Sequence, residues 1–146
     1  MKRPLVWAYF DTSALVKRYV KEEGSPRVRV LFKRYRFLSS AITPLELVSA
    51  LCRRRATGEL AEKDYRAILS RMEKDRAYWE LIEVSPRVLE RAEELIQQAA
   101  LRTLDAIHIA SALMFQSASG IRVPFITGDA RQYETANQLA MHVVEV

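Results

Sequence analysis

Four carboxylates stand where an apolar stretch gives way to the start of a helix: Asp11 after residues 5–10, Glu46 in Thr43-Pro44-Leu45-Glu46, Asp105 in Thr103-Leu104-Asp105, and Asp129 after residues 123–127. Each has a routine structural role when taken singly. Asp11 and Asp129 fit as N-caps, and Thr43 to Glu46 match a capping box, with Thr43 as cap, Pro44 at the first helical position and Glu46 at the third. Asp105 falls in a first turn, where the helix dipole favours an acid. As a set they predict more. Helices that follow parallel strands open at one end of the sheet, so side chains distant in sequence can converge there. Crowded carboxylates repel unless a cation or a proton neutralises them. A pocket of hard oxygen ligands suits Mg²⁺, which keeps several waters and needs only one or two direct carboxylates plus phosphate oxygens. Bound metal activates water and offsets charge on a scissile phosphate, so the chemistry expected of these four acids is metal-dependent phosphodiester cleavage.

Hydroxyls at Thr12, Ser13 and Thr127 are candidates to orient those acids or their waters, set against the commoner role of such residues in caps and turns. His108 lies one helical turn after Asp105 but is flanked by Ile107 and Ile109, which predicts a packed, hydrogen-bonded core histidine outside the site.

The elements that must position the acids follow from hydrophobic spacing. Residues 5–10 are expected as a buried strand, and 12–20 as a helix carrying Leu15, Val16, Tyr19 and Val20. Gly24-Ser25-Pro26 should break the chain before a helix over 28–35 and a short strand over 36–40. A helix from Pro44 to about Thr57 stops at Gly58, and an amphipathic helix over 61–77 completes a helical hairpin. A strand over 79–84, helices over 86–101 and 104–115, a strand over 123–127, a helix over 130–140 and a last strand over 142–146 follow. Helix 104–115 is the most apolar, as expected of a central or interface helix. Alternating strands and helices predict an α/β sandwich around a mainly parallel sheet, with its crevice beyond the carboxyl ends of the strands.

Composition bounds the rest. A length of 146 residues suits one domain, 1–146, and 49% hydrophobic with 28% charged residues is a globular balance. No apolar run approaches the roughly 18 residues of a membrane span. The basic start Met1-Lys2-Arg3-Pro4 leads into a strand and not a secretory signal, because no small-residue cleavage pattern follows. Cys52, the only cysteine, excludes an intrachain disulfide and a cysteine zinc site, and fits a small core residue in a reducing cytoplasm. A net charge of +5 agrees with a polyanionic partner without requiring one, and the Arg53-Arg54-Arg55 cluster could equally be a solvated helix face.

At the four acids the chain resembles the PIN-domain ribonucleases, in particular the VapC toxins of toxin–antitoxin pairs. Tyr9-Phe10-Asp11-Thr12-Ser13-Ala14-Leu15-Val16-Lys17 is similar to the family's opening motif, and Thr43-Pro44-Leu45-Glu46-Leu47 to its second. Leu104-Asp105-Ala106-Ile107-His108-Ile109-Ala110-Ser111-Ala112 resembles the third, and Phe125-Ile126-Thr127-Gly128-Asp129 the fourth. The resemblance covers nearly the whole chain. It implies a three-layer α/β/α sandwich with sheet order 3-2-1-4-5, and a Mg²⁺- or Mn²⁺-dependent endoribonuclease. In it Asp11 and Asp105 would be the principal metal ligands, with Glu46 and Asp129 completing the catalytic set. It also implies a homodimer and a VapB-like antitoxin laid across the site. One departure concerns the turn before the last strand, where members often carry glycine and this chain has Gln138-Leu139-Ala140-Met141-His142.

Other readings fit less well. A dehalogenase-type phosphatase needs a second aspartate where Ser13 stands, and a phosphoacceptor receiver domain needs an acidic pair after the first strand. A PIN ribonuclease of RNA maturation or quality control without an antitoxin, and an inactive RNA-binding or protein-interaction PIN domain, are the remaining alternatives.

Overall fold

In the computed structural model the described residues are 6–146, so Leu5 of the expected first strand and the basic start before it lie outside them. Strand β1 (Val6–Phe10) passes through the single residue Asp11 into α1 (Thr12–Tyr19). Helix α2 (Ser25–Arg34) begins inside the expected break. Gly24 supplies a left-handed turn, and Pro26 is tolerated in the first helical turn because no backbone donor is needed there. Strand β2 (Tyr35–Ser40) follows, then the hairpin of α3 (Thr43–Ala56) and α4 (Glu62–Asp75), a 3₁₀ turn at Arg76–Tyr78, and β3 (Glu80–Ile82). The chain continues through α5 (Pro86–Ala99), α6 (Thr103–Ser119), β4 (Phe125–Thr127), α7 (Ala130–Gln138) and β5 (Val143–Glu145).

The five strands pair in parallel in the order β3-β2-β1-β4-β5, as expected. The chain winds outward from β1 through β2 to β3, then returns to add β4 and β5 on the other side. Strand order therefore reverses between β1 and β4, the position where such sheets open a crevice. Register pairs Phe10 with Ile126, which sets Asp11 level with Thr127 across that junction.

Side-chain alternation along β1 divides the core in two. Ala8 and Phe10 join one apolar cluster with Leu15, Leu47, Leu51 and Met72, on the face covered by α1 to α4. Tyr9 joins the opposite cluster with Leu95, Ile109 and Phe125, under α5 and α6. Sequence spacing alone suggested that α6 carries more apolar residues than one buried face requires. Within this chain, every residue from 106 to 112 is already buried, so that segment needs no second subunit to account for it.

The turn before β5 resolves the missing glycine. Ala140 adopts φ +58, the left-handed conformation that a glycine would take without strain. The turn is retained with a side chain that disfavours it by roughly 1–2 kcal/mol.

Candidate active site at the sheet junction

Asp11 is almost wholly buried, 4% exposed, and its carboxylate is held from three sides. As N-cap of α1 it accepts from the backbone N–H of Ala14 (3.1 Å) and from Ser13 Oγ (2.6 Å), both on Oδ1. Thr127 Oγ1, from the end of β4, donates to Oδ2 at 2.5 Å. Ser13 Oγ in turn accepts from the N–H of Gly128 (2.8 Å), closing a loop of hydrogen bonds between the ends of β1 and β4. Burial nonetheless pushes the Asp11 carboxyl above its ordinary value, with nearby His108 and these donors offsetting only part of the effect. This anion is short of positive charge.

Glu46 does not form the expected capping box. Thr43 hydrogen-bonds Ser39 Oγ (2.6 Å), and the α3 N-cap is Ile42 without a side-chain bond. The Glu46 carboxylate instead crosses to two other elements, where Oε1 lies 2.6 Å from Thr12 Oγ1 and 2.6 Å from His108 Nε2. Burial acts to raise this carboxyl, but the hydrogen bond and charge of His108, then Thr12, outweigh it and hold it below its ordinary range. His108 is the buried core histidine its apolar neighbours predict, yet it reaches the crevice. Its Nδ1 is 2.7 Å from the hydroxyl of Tyr9, a phenol that burial, then the charge of Asp11, keeps well above its ordinary titration range.

Asp105 and Asp129 form the open rim. Arg102, 67% exposed along its side chain, places Nε 3.2 Å from Asp105 Oδ2 and Nη2 3.8 Å from Asp129 Oδ2. Asp129 caps α7 through Oδ1, accepting from the N–H groups of Arg131 (2.8 Å) and Gln132 (3.4 Å). The buried Gln132 side chain donates to the Asp105 carbonyl at 3.0 Å, tying the starts of α6 and α7 together. All four acids line one crevice of about 690 Å³, whose wall also includes Thr12, Ser13, Arg53, Arg102 and His108.

A family model described as PIN domain matches residues 8–138. The chain belongs to the PIN domain family. Solved structures share this PIN fold at low identity. One chain of a toxin–antitoxin complex from Klebsiella pneumoniae is 19% identical, with 95% of this chain and 99% of that chain covered and a TM-score of 0.68. A chain of VapBC2 from Rickettsia felis, bound to a DNA fragment from their promoter, is 15% identical, with 96% and 98% covered and a TM-score of 0.64. PAE2754 from Pyrobaculum aerophilum is 18% identical, with 89% and 84% covered and a TM-score of 0.63. A comparison with curated proteins finds no match.

The donor chemistry of this PIN crevice fits a hard divalent cation. Among the described residues, no three His, Cys, Asp or Glu side chains are grouped closely enough to enclose a metal by themselves. Mg²⁺ needs no such cage, since it keeps several waters beside one or two carboxylates. Each Asp11 oxygen already accepts from the protein, Oδ1 twice and Oδ2 once, so the remaining acceptor capacity lies on Oδ2. Among the described residues, the Asp105 carboxylate meets only the exposed, exchangeable Arg102. Asp11 and Asp105 could therefore offer direct ligands, and Glu46 Oε2 and Asp129 Oδ2 are also open to a cation or its waters.

The same structure separates the three clustered arginines. Arg53 lines the crevice, Arg54 pairs with Glu22 (3.1 Å), and Arg55 pairs with Glu62 (3.5 Å) while lying over the Tyr65 ring. Three roles were not legible in the sequence: His108 as partner of Glu46, Arg102 as counterion of two acids, and Gln132 as tether. Only the one-turn spacing of Asp105 and His108 hinted at the first of these.

Proposed function

We propose that this PIN domain, spanning residues 1–146, is a Mg²⁺- or Mn²⁺-dependent endoribonuclease and the toxin of a toxin–antitoxin pair. The observation that carries this reading is the lining of one crevice, at the β1/β4 junction, by Asp11, Glu46, Asp105 and Asp129. Asp11 and Asp105 would hold the cation, with Glu46 and Asp129 acting through water. Bound there, a divalent cation would make water a stronger nucleophile and offset charge on the scissile phosphate. Ser13, Thr127 and the Ala14 N–H keep Asp11 in one orientation. Glu46, whose Oε1 is engaged by Thr12 and His108, has Oε2 to receive a proton from the attacking water. Arg53 and Arg102 at the wall would meet RNA phosphates.

The toxin assignment rests on the likeness to chains of toxin–antitoxin complexes. An antitoxin would cover the crevice, and a basic side chain of it, most naturally arginine, would pair with the half-buried rim acids. Homodimerisation and a cytoplasmic location belong to the same reading. Among the described residues no helix is long and apolar enough to cross a membrane.

The test is cleavage of RNA by the purified chain with and without Mg²⁺, alongside growth of cells in which it is induced. The expected outcome is cleavage that a chelator stops, and growth arrest that requires Asp105 and is reversed by the neighbouring gene product. Cleavage without growth arrest would instead favour a ribonuclease of RNA maturation, and no cleavage at any metal concentration would favour a binding domain.

A further inference from the structure

We propose that Tyr9 and His108 form a buried relay that holds Glu46 in a single orientation, making both of them positioning residues for the reaction in the crevice. The catalytic part of this inference rests on the ribonuclease reading above; the relay itself does not.

The chain of contacts runs from Tyr9 Oη to His108 Nδ1 (2.7 Å), and from His108 Nε2 to Glu46 Oε1 (2.6 Å). Its members come from β1, α6 and α3, and Thr12 at the start of α1 adds a second donor to the same Glu46 oxygen at 2.6 Å. Proton placement follows from donor chemistry. An ionised carboxylate only accepts, so Nε2 must carry the proton that faces Glu46. In the neutral ring Nδ1 is then an acceptor, and the buried Tyr9 hydroxyl is the donor that satisfies it. In the neutral ring each nitrogen has one role, since moving the proton to Nδ1 would set Nε2 against the carboxylate as two acceptors; the charged ring would donate from both nitrogens, to Glu46 and to the Tyr9 hydroxyl oxygen.

The arrangement answers a problem specific to Glu46. Its side chain has three rotatable bonds, and it lines a crevice open to solvent beside the Asp11 carboxylate, so nothing in its own helix fixes its orientation. Anchoring Oε1 from two sides removes that freedom before substrate arrives, and among the described residues leaves Oε2 without a protein donor. The helical spacing supports this role. Asp105 and His108 lie one turn apart on α6, so the same first turns that present an acid to the crevice also present the ring that braces Glu46. Tyr9 reaches the ring because strand alternation turns it away from Phe10 and into the α6 side of the sheet. A histidine that merely fills core volume needs neither the Tyr9 hydroxyl nor a carboxylate at 2.6 Å.

The test uses the full chain labelled with ¹⁵N. The sequence has only two histidines, and His142 is exposed, so His142→Gln assigns the remaining signals to His108. At a pH where the ring is neutral, long-range ¹⁵N–¹H spectra are expected to show one tautomer in the wild type, protonated at Nε2 and bare at Nδ1. Tyr9→Phe should replace it with tautomer-averaged shifts while the fold persists. On RNA, Tyr9→Phe and His108→Leu should lower kcat about ten- to hundredfold, the usual loss when an orienting partner is removed, with KM little changed. His108→Gln, whose amide N–H can take the place of Nε2–H, should recover much of kcat. A neutral wild-type ring protonated at Nδ1, or exchanging freely between tautomers, overturns the relay, as does unchanged kcat in folded Tyr9→Phe and His108→Leu. If the wild type does not cleave RNA at all, the ribonuclease reading fails while the spectra still judge the relay.

Discussion

The two ends of the crevice differ in how much of each carboxylate the protein has already engaged. At the β1/β4 junction, Asp11 accepts three hydrogen bonds from Ser13, Ala14 and Thr127 and is closed off from solvent. At the rim, Asp105 and Asp129 share a single arginine that is itself 67% exposed, and Asp129 in addition caps α7 through Oδ1 alone. The buried end is pre-shaped at the cost of a desolvated charge, and the half-buried rim keeps its charges partly solvated and its arginine partner replaceable. A crevice built this way can present a fixed ligand on one side and admit a cation, a phosphate or a partner's arginine on the other.

The largest effect should come from removing either charge. Asp11→Asn and Asp105→Asn are each expected to cut RNA cleavage on the order of a thousandfold, about 4 kcal/mol of transition-state stabilisation. Their stabilities should diverge. Asp11 is held above its ordinary value of 3.8 in the fold, so the folded state binds that proton more tightly. Its ionisation therefore lowers stability as pH rises from that value through the raised one, and the loss persists at neutral pH. Asp11→Asn should melt higher than the wild type at neutral pH, with the gap closing under acid. A calorimetric scan in which Asp11→Asn and Asp105→Asn shift the midpoint equally would erase the contrast between the two ends.

Next in size, Thr127→Val removes a hydrogen bond to a buried carboxylate and should cost about 1.5–3 kcal/mol in urea unfolding. Arg102→Gln breaks only an exposed pair, so its stability cost should stay under about 1 kcal/mol. It should nevertheless tighten Mn²⁺ binding, measured by titration calorimetry, because a competing cation is gone. Equal unfolding costs, or weaker Mn²⁺ binding in Arg102→Gln, would mean that the rim is as structural as the junction.

Glu46 should show the opposite pH signature to Asp11. Its carboxyl sits below its ordinary 4.5 in the fold, so the stability it contributes is present above that value and is lost as pH falls through the lowered one. Glu46→Gln should flatten the acid limb of urea midpoints measured downward from about pH 5. An acid limb that steepens would reverse the assignment.

Smaller effects separate the arginines and the strained turn. Arg53→Ala should weaken RNA binding and reduce its salt slope by about one, while Arg54→Ala should do neither because Arg54 is engaged by Glu22. Equal salt slopes for the two variants would remove Arg53 from the RNA face. Ala140→Gly should stabilise by roughly 0.5–1 kcal/mol, relief of the left-handed strain less glycine's greater unfolded freedom. A lower melting point would show that the Ala140 methyl packs usefully.

Much of the scaffold was legible from spacing, and the departures have local causes. Helix α2 starts three residues before its expected Val28, because Ser25 Oγ bonds both the Glu22 N–H and the Val20 carbonyl and starts the helix beside Pro26. Strand β3 keeps only Glu80–Ile82 of the expected 79–84. It is an edge strand, and its register with β2 ends where Ser40 meets Ile82. The capping box at Thr43 was a sound local reading that lost to partners 34 and 62 residues away, Thr12 and His108.

By itself, the sequence determined the alternation of strands and helices, the strand-to-helix positions of four acids and the motifs that mark a PIN domain. These depend on hydrophobic period, helix-start chemistry and residue order, all local properties of the chain. Only the tertiary structure decided which acid is fully buried and which are half-buried. It also decided that Glu46 turns to His108 in place of its own helix start, and that Arg102 neutralises the rim. Those outcomes depend on contacts between residues brought level by strand register and helix packing, where desolvation and hydrogen bonding act over ångströms in space, whatever the separation along the chain.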